Sequence, residues 1–105
     1  MREKLVRDRI PEIIRSKGTQ PTVRTASEDE LDLLMRTKIV EEAEELLSSG
    51  ETEEIADIIE VIDALIQLRG LDRSKLEQLR AEKNQARGGF KRGYVLLLDD
   101  SEHHT

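Results

Sequence analysis

Apolar residues recur at helical spacing through most of this chain, and most clearly in KIVEEAEELLSSGETEEIADIIEVIDALIQL, residues 38–68. This stretch divides into two amphipathic segments around the polar turn Ser48-Ser49-Gly50-Glu51-Thr52. At about 100° per residue, Leu31, Met35, Ile39, Ala43, Leu46 and Leu47 line one side of the first segment. Ile55, Ile58, Ile59, Ile62, Leu65 and Ile66 line one side of the second. The acids sort against these stripes. Glu41 and Glu44 fall opposite the first stripe, whereas Glu42 lies inside it and Glu45 at its margin. Glu53, Glu60 and Asp63 point away from the second, whereas Glu54 lies within it and Asp57 beside it. The pattern predicts two helices that turn Glu42, Glu45, Glu54 and Asp57 toward a shared seam.

The remaining chain reads as shorter helices and connections. KLVRDRIPEIIRSKG predicts a helix capped by Asp8, with Pro11 in its first turn and Gly18 at its end. Arg7 and Arg9 have two readings, phosphate contacts beside a bundle mouth or surface ion pairs. Residues 19–26 form an extended connection, and Ser27 with Glu30 has capping-box spacing for a helix from Glu28 to about Leu47. Gly50 ends that helix, and Thr52 caps the next, which runs from Glu53 to Arg69 and stops at Gly70. Asp72 caps a further helix, RSKLEQLRAEKNQA, with Leu76, Leu79 and Ala86 inward and Lys83 in line with Leu79. The segment after it, Arg87-Gly88-Gly89-Phe90-Lys91-Arg92-Gly93, is either an anion-binding turn or an ordinary helix stop. Residues 94–98 predict a short strand or an arm packed on another subunit, and residues 99–105, with His103 and His104, a loose tail. The fold expected is an all-α antiparallel bundle in one domain spanning residues 1–105, with residues 1–2 loose.

Composition narrows the partners. A chain of 105 residues with 36% apolar residues, one Phe, one Tyr and no Trp can bury only a modest core, so closure against further copies of itself is expected. A net charge of −6 argues against nucleic acid as the main partner. The absence of cysteine excludes disulfide and thiol chemistry and fits a cytoplasmic protein. No apolar run approaches the roughly 20 residues of a membrane span.

Four carboxylates in an apolar seam are costly unless a cation compensates them. Side-chain oxygens at i, i+3 spacing on two facing helices suit a hard divalent cation, Mg2+ or Mn2+. With 23 acids in 105 residues, a single Glu-x-x-Glu pair carries almost no information; two pairs placed on facing stripes carry more. Lys38, four residues before Glu42, suits a simple i, i+4 pair or a bound phosphate.

Glu42-x-x-Glu45 followed by Glu54-x-x-Asp57 resembles the metal-binding signature of the MazG-like, all-α nucleoside triphosphate pyrophosphohydrolase superfamily. The opening KLVRDRIP and the late EKNQARGGF resemble a small single-domain subgroup described as phosphoribosyl-ATP pyrophosphohydrolase-like. The resemblance covers roughly residues 3–98. It implies a MazG-like bundle assembled as a dimer or tetramer, which hydrolyses a nucleoside triphosphate to monophosphate and pyrophosphate with Mg2+. It also implies that the four acids are metal ligands and catalytic residues, and that Lys83, Asn84 and Arg87 approach the nucleotide. The connection between the acid pairs is shorter here than in many of those proteins, so the shape of the pocket does not carry over. Three readings stand: a house-cleaning nucleotide pyrophosphohydrolase, a phosphoribosyl-ATP pyrophosphohydrolase of histidine biosynthesis, and a non-catalytic helical oligomerisation module.

Overall fold

A computed structural model describes residues 2–98 and is all-helical among them. Met1 and residues 99–105, including His103 and His104, lie outside the described residues. The chain divides between Leu71 and Asp72 into two compact units.

The first unit is built on a helical hairpin. Its long helices, α2 (Glu28–Ser49) and α3 (Thr52–Leu68), follow a short N-terminal helix, α1 (Ile10–Ser16). Only Gly50 and Glu51 separate α2 from α3, and Gly50 takes the left-handed φ of 67° that glycine adopts without strain. Its N–H donates to the Leu46 carbonyl at 2.8 Å. At the far end, Arg69 donates to Asp32 at 2.7 and 3.0 Å, tying the end of α3 to the beginning of α2 and making the pair antiparallel. The two helices contact each other along the seam.

Local sequence accounts for the helix starts. Ser27 and Glu30 form the expected capping box, with the Ser27 N–H donating to Glu30 at 3.0 Å. Pro11 stands in the first turn of α1, where its missing N–H costs nothing, but the cap is Arg9 rather than Asp8. The cap of α3 is Glu51, and Thr52 is already helical. Helix α2 runs two residues past Leu47, up to the left-handed stop that Gly50 supplies as expected.

The hairpin is rotated from the expected register. In α3 the half-buried residues are Glu54, Asp57, Ile58, Val61, Asp63, Ala64, Leu65, Ile66 and Leu68. Ile55, Ile59 and Ile62 are 47%, 54% and 40% exposed. The isoleucines form a second apolar face, roughly 100° around the helix from the face that meets α2. Helix α2 is similar. Leu31, Leu34, Met35, Ile39 and Leu46 are half-buried, whereas Leu33, Val40 and Leu47, at heptad spacing, are exposed, as is Ala43. Among the described residues no apolar side chain is fully buried, and the one fully buried residue is Glu42, 6% exposed.

The N-terminal segment, residues 2–9, is fastened to this hairpin by charge. Arg24 grips Glu3 at 2.8 and 3.1 Å and Glu30 at 2.7 and 3.0 Å. The guanidinium and the capping contacts hold the Glu30 carboxyl down at about 2.

The second unit carries α4 (Arg73–Arg87), capped as expected by Asp72, whose carboxylate accepts from the Ser74 N–H at 2.9 Å. Among the described residues of this unit Leu76 alone is half-buried; Leu79 and Lys83, expected on an inner line, are exposed. Residues 94–98 form no strand, and Tyr94, Val95 and Leu97 are almost fully exposed.

Candidate metal centre

Glu42 projects from the middle of α2, and Glu54 and Asp57 from the first two turns of α3. The antiparallel hairpin brings one carboxylate oxygen from each of the three within 4.8 Å of the others. The rotated register explains why these three meet. The face of α3 that meets α2 is centred near Glu54, so both of its acids enter the seam.

Glu45 has a different place. It is exposed and stands outside that group of three, yet it bears directly on Glu54. Burial pushes the Glu54 carboxyl above its ordinary range, and a hydrogen bond with Glu45 and the charges of Glu45, Asp57 and Glu42 add to the shift. Lys38 supplies the nearest cation from α2. Its ammonium lies 3.2 Å from Glu42 Oε1 and 3.4 Å from Glu41, the i, i+4 pairing expected from spacing. Glu41, placed opposite the stripe by the helical wheel, is half-buried and joins this charge cluster. Asp63, expected to point away, is half-buried as well.

The donor set fits a divalent cation. All three groups offer oxygen, the ligand that Mg2+ and Mn2+ prefer. Glu42 Oε2 and Glu54 Oε2 are buried and have no hydrogen-bond partner. A buried, unpartnered carboxylate oxygen is expensive, and a cation among the three would relieve it.

The N-terminal segment supplies two basic groups that the sequence pattern did not single out, Arg2 and Lys4. Arg2 lies 4.0 Å from Glu41, and Arg2 and Lys4 line an open cleft of about 360 Å3 with Glu41, Glu45 and Glu54. Arg7 donates to Asp57 at 2.7 Å, whereas Arg9 pairs with Glu12 at 3.5 Å on its own short helix. Arg9 therefore takes the surface ion-pair reading. The remaining sequence candidates, Lys83, Asn84 and Arg87, sit on α4 in the second unit and are exposed within it.

No family model matches this chain, and no solved structure matches it. A protein of Mycolicibacterium smegmatis described as an uncharacterized protein is 52% identical over 42 residues. That alignment covers 40% of this chain and 43% of the relative. Among the described residues no helix is long and apolar enough to cross a membrane.

The raised Glu54 carboxyl gives the centre a pH signature. Such a group holds more protons folded than unfolded, so its ionisation costs stability; that cost is absent below the ordinary value of 4.5 and complete above the raised value. Without metal, Glu54→Gln is expected to raise Tm by a few degrees at neutral pH, and the gain vanishes below pH 4.5. Glu30 and Asp32, held down at about 2 by their arginines, act with the opposite sign but equally in both proteins. Paired thermal scans across this pH range check the effect; a destabilised variant at pH 7 contradicts it.

Proposed function

We propose that this chain is a Mg2+-dependent nucleotide pyrophosphohydrolase that cleaves a nucleoside triphosphate to monophosphate and pyrophosphate, with Mn2+ as an alternative cation. The observation that carries this reading is the convergence of Glu42, Glu54 and Asp57, with two buried carboxylate oxygens left without partners. The resemblance of the two acid pairs to the MazG-like signature supports it, and the departure at the short turn leaves the base and sugar open.

In this reading Glu42, Glu54 and Asp57 hold the cation, and Glu45 completes the acidic rim beside Glu54. A bound cation supplies charge neutralisation at the phosphates and a more acidic water. Glu45, outside the group of three and beside Glu54, is placed to accept the proton of an attacking water. Lys38 pairs with the Glu42 carboxylate, its ammonium 3.2 Å from Oε1. Cytoplasmic nucleotide housekeeping fits such an activity.

The same reading includes self-assembly as a dimer or tetramer. A second copy of this chain covers the faces made by Ile55, Ile59 and Ile62 on α3 and by Leu33, Val40 and Leu47 on α2. Its support is the lack of any fully buried apolar side chain within the described chain, since a folded domain needs such burial to offset chain entropy. The exposed apolar residues 94–98 serve as an arm on the neighbouring copy.

The test is pyrophosphate release from a panel of canonical, deoxy and modified triphosphates and phosphoribosyl-ATP, with and without Mg2+. Metal-dependent release from any nucleoside triphosphate is expected. Absence of release across the whole panel overturns the enzyme reading.

A further inference from the structure

The contact between Arg7 and Asp57 joins residues fifty positions apart, and it falls on one of the three acids of the candidate centre. A guanidinium and a divalent cation on one carboxylate repel each other, so each weakens the other's hold on it. The pair is accessible, with Arg7 55% and Asp57 37% exposed as side chains, so exchange requires no unfolding. The backbone that carries Arg7 is anchored independently by the Arg24–Glu3 bridge, while Arg2 and Lys4 line the adjoining cleft. An arginine released from Asp57 would therefore stay beside the site, on a segment whose Arg2 and Lys4 already line the cleft. Guanidinium groups bind phosphate oxygens with paired, charge-assisted hydrogen bonds.

We propose that Arg7 is an exchangeable cation: it holds Asp57 while the centre is empty, and passes to the phosphate oxygens of the ligand when a divalent cation takes Asp57. Residues 2–9 thus form the phosphate-side wall of the centre. This deepens the nucleotide reading given above and rests on it. Arg7 acts here as a binding and positioning residue with two successive partners, and the exchange makes and breaks no covalent bond.

The swap predicts effects of opposite sign. Calorimetric titration of the full chain with Mn2+, and then with inorganic pyrophosphate at saturating Mn2+, reads both. Arg7→Gln removes the competitor and is expected to tighten Mn2+ about two- to five-fold, the range for loss of one exposed ion pair. The same variant is expected to weaken pyrophosphate by about tenfold or more, through loss of a charged donor. Arg7→Lys retains the charge without the fork, so it restores Mn2+ affinity to the wild-type value and pyrophosphate affinity in part. Arg15→Gln, an exposed arginine on α1, leaves both unchanged. Mn2+ affinity that is unchanged or weaker in Arg7→Gln overturns the proposal, as does unchanged pyrophosphate affinity. Wild-type protein that binds no Mn2+ brings down the metal reading itself and the swap with it. Wild-type Mn2+ binding with no response to Arg7→Gln overturns the swap alone.

Discussion

Glu42→Gln, Glu54→Gln and Asp57→Asn are each expected to lower metal-dependent pyrophosphate release by more than about 100-fold. Groups that merely support metal ligands already contribute about 10- to 100-fold, so a ligand itself stands at or beyond the upper end. Glu53→Gln and Glu60→Gln, on exposed parts of α3, are expected to retain wild-type rates. For Glu54 and Asp57 the contrast is within one helix, so bulk acidity cannot produce it. Thermal scans supply the second readout. Mg2+ or Mn2+ should raise the wild-type Tm by mass action, and that rise should disappear in the three centre variants but persist in the two controls. Glu45→Gln is the informative intermediate. Its carboxylate lies outside the group of three and acts through Glu54, so it should reduce the rate more than it reduces the metal-induced rise in Tm. Equal behaviour of centre and control variants in both measurements removes the centre from consideration.

The second large effect concerns assembly. Wild-type protein is expected to scatter light as a dimer or tetramer at micromolar concentration, and its Tm should rise with protein concentration. Ile59→Glu combined with Ile62→Glu should dissociate the assembly and lower Tm by more than about 10 °C. The size follows from about 1.5–3 kcal/mol for each buried isoleucine and about 4–8 °C per kcal/mol for a domain of this size. Glutamate on an apolar interface adds a desolvation cost as well. The chain has little internal reserve against such a loss, because its own hairpin fully buries no described apolar side chain. A folded wild-type monomer at micromolar concentration contradicts the expectation.

The helical periodicity was legible because each long segment repeats its apolar positions over several turns. The capping box at Ser27 and the stop at Gly50 were legible because each acts within four residues of itself. What the wheel could not separate were two apolar faces on one helix. In α3, averaging Ile58 and Leu65 with Ile55, Ile59 and Ile62 displaced the centre of the stripe; in α2, averaging Leu31, Met35 and Ile39 with Ala43 and Leu47 did the same and put Glu41 too far out. Glu54 and Asp57 survived that error, being central to the face that α3 turns toward α2. Arg2, Lys4 and Arg7 obey no periodicity, since they ride on an extended segment whose partners are distant in sequence. Charge alone marked Arg7 and Arg9 as equals, and only the fold separates a contact to Asp57 from one to Glu12.

The two-residue turn between α2 and α3 also sets a rule for reading length variation in related chains. Residues added between Ser49 and Thr52 would lengthen a loop and leave the helical phase of every acid intact. One residue added between Glu42 and Glu45, or between Glu54 and Asp57, would swing the next carboxylate by about 100° and out of register with its neighbours. Insertions at Gly50–Glu51 would thus alter the rim of the cleft beside Ser48 and Ser49 and leave Glu42, Glu54 and Asp57 in phase. On the proposed function, selectivity and chemistry would then change independently, with the turn as the place where one varies while the other is kept.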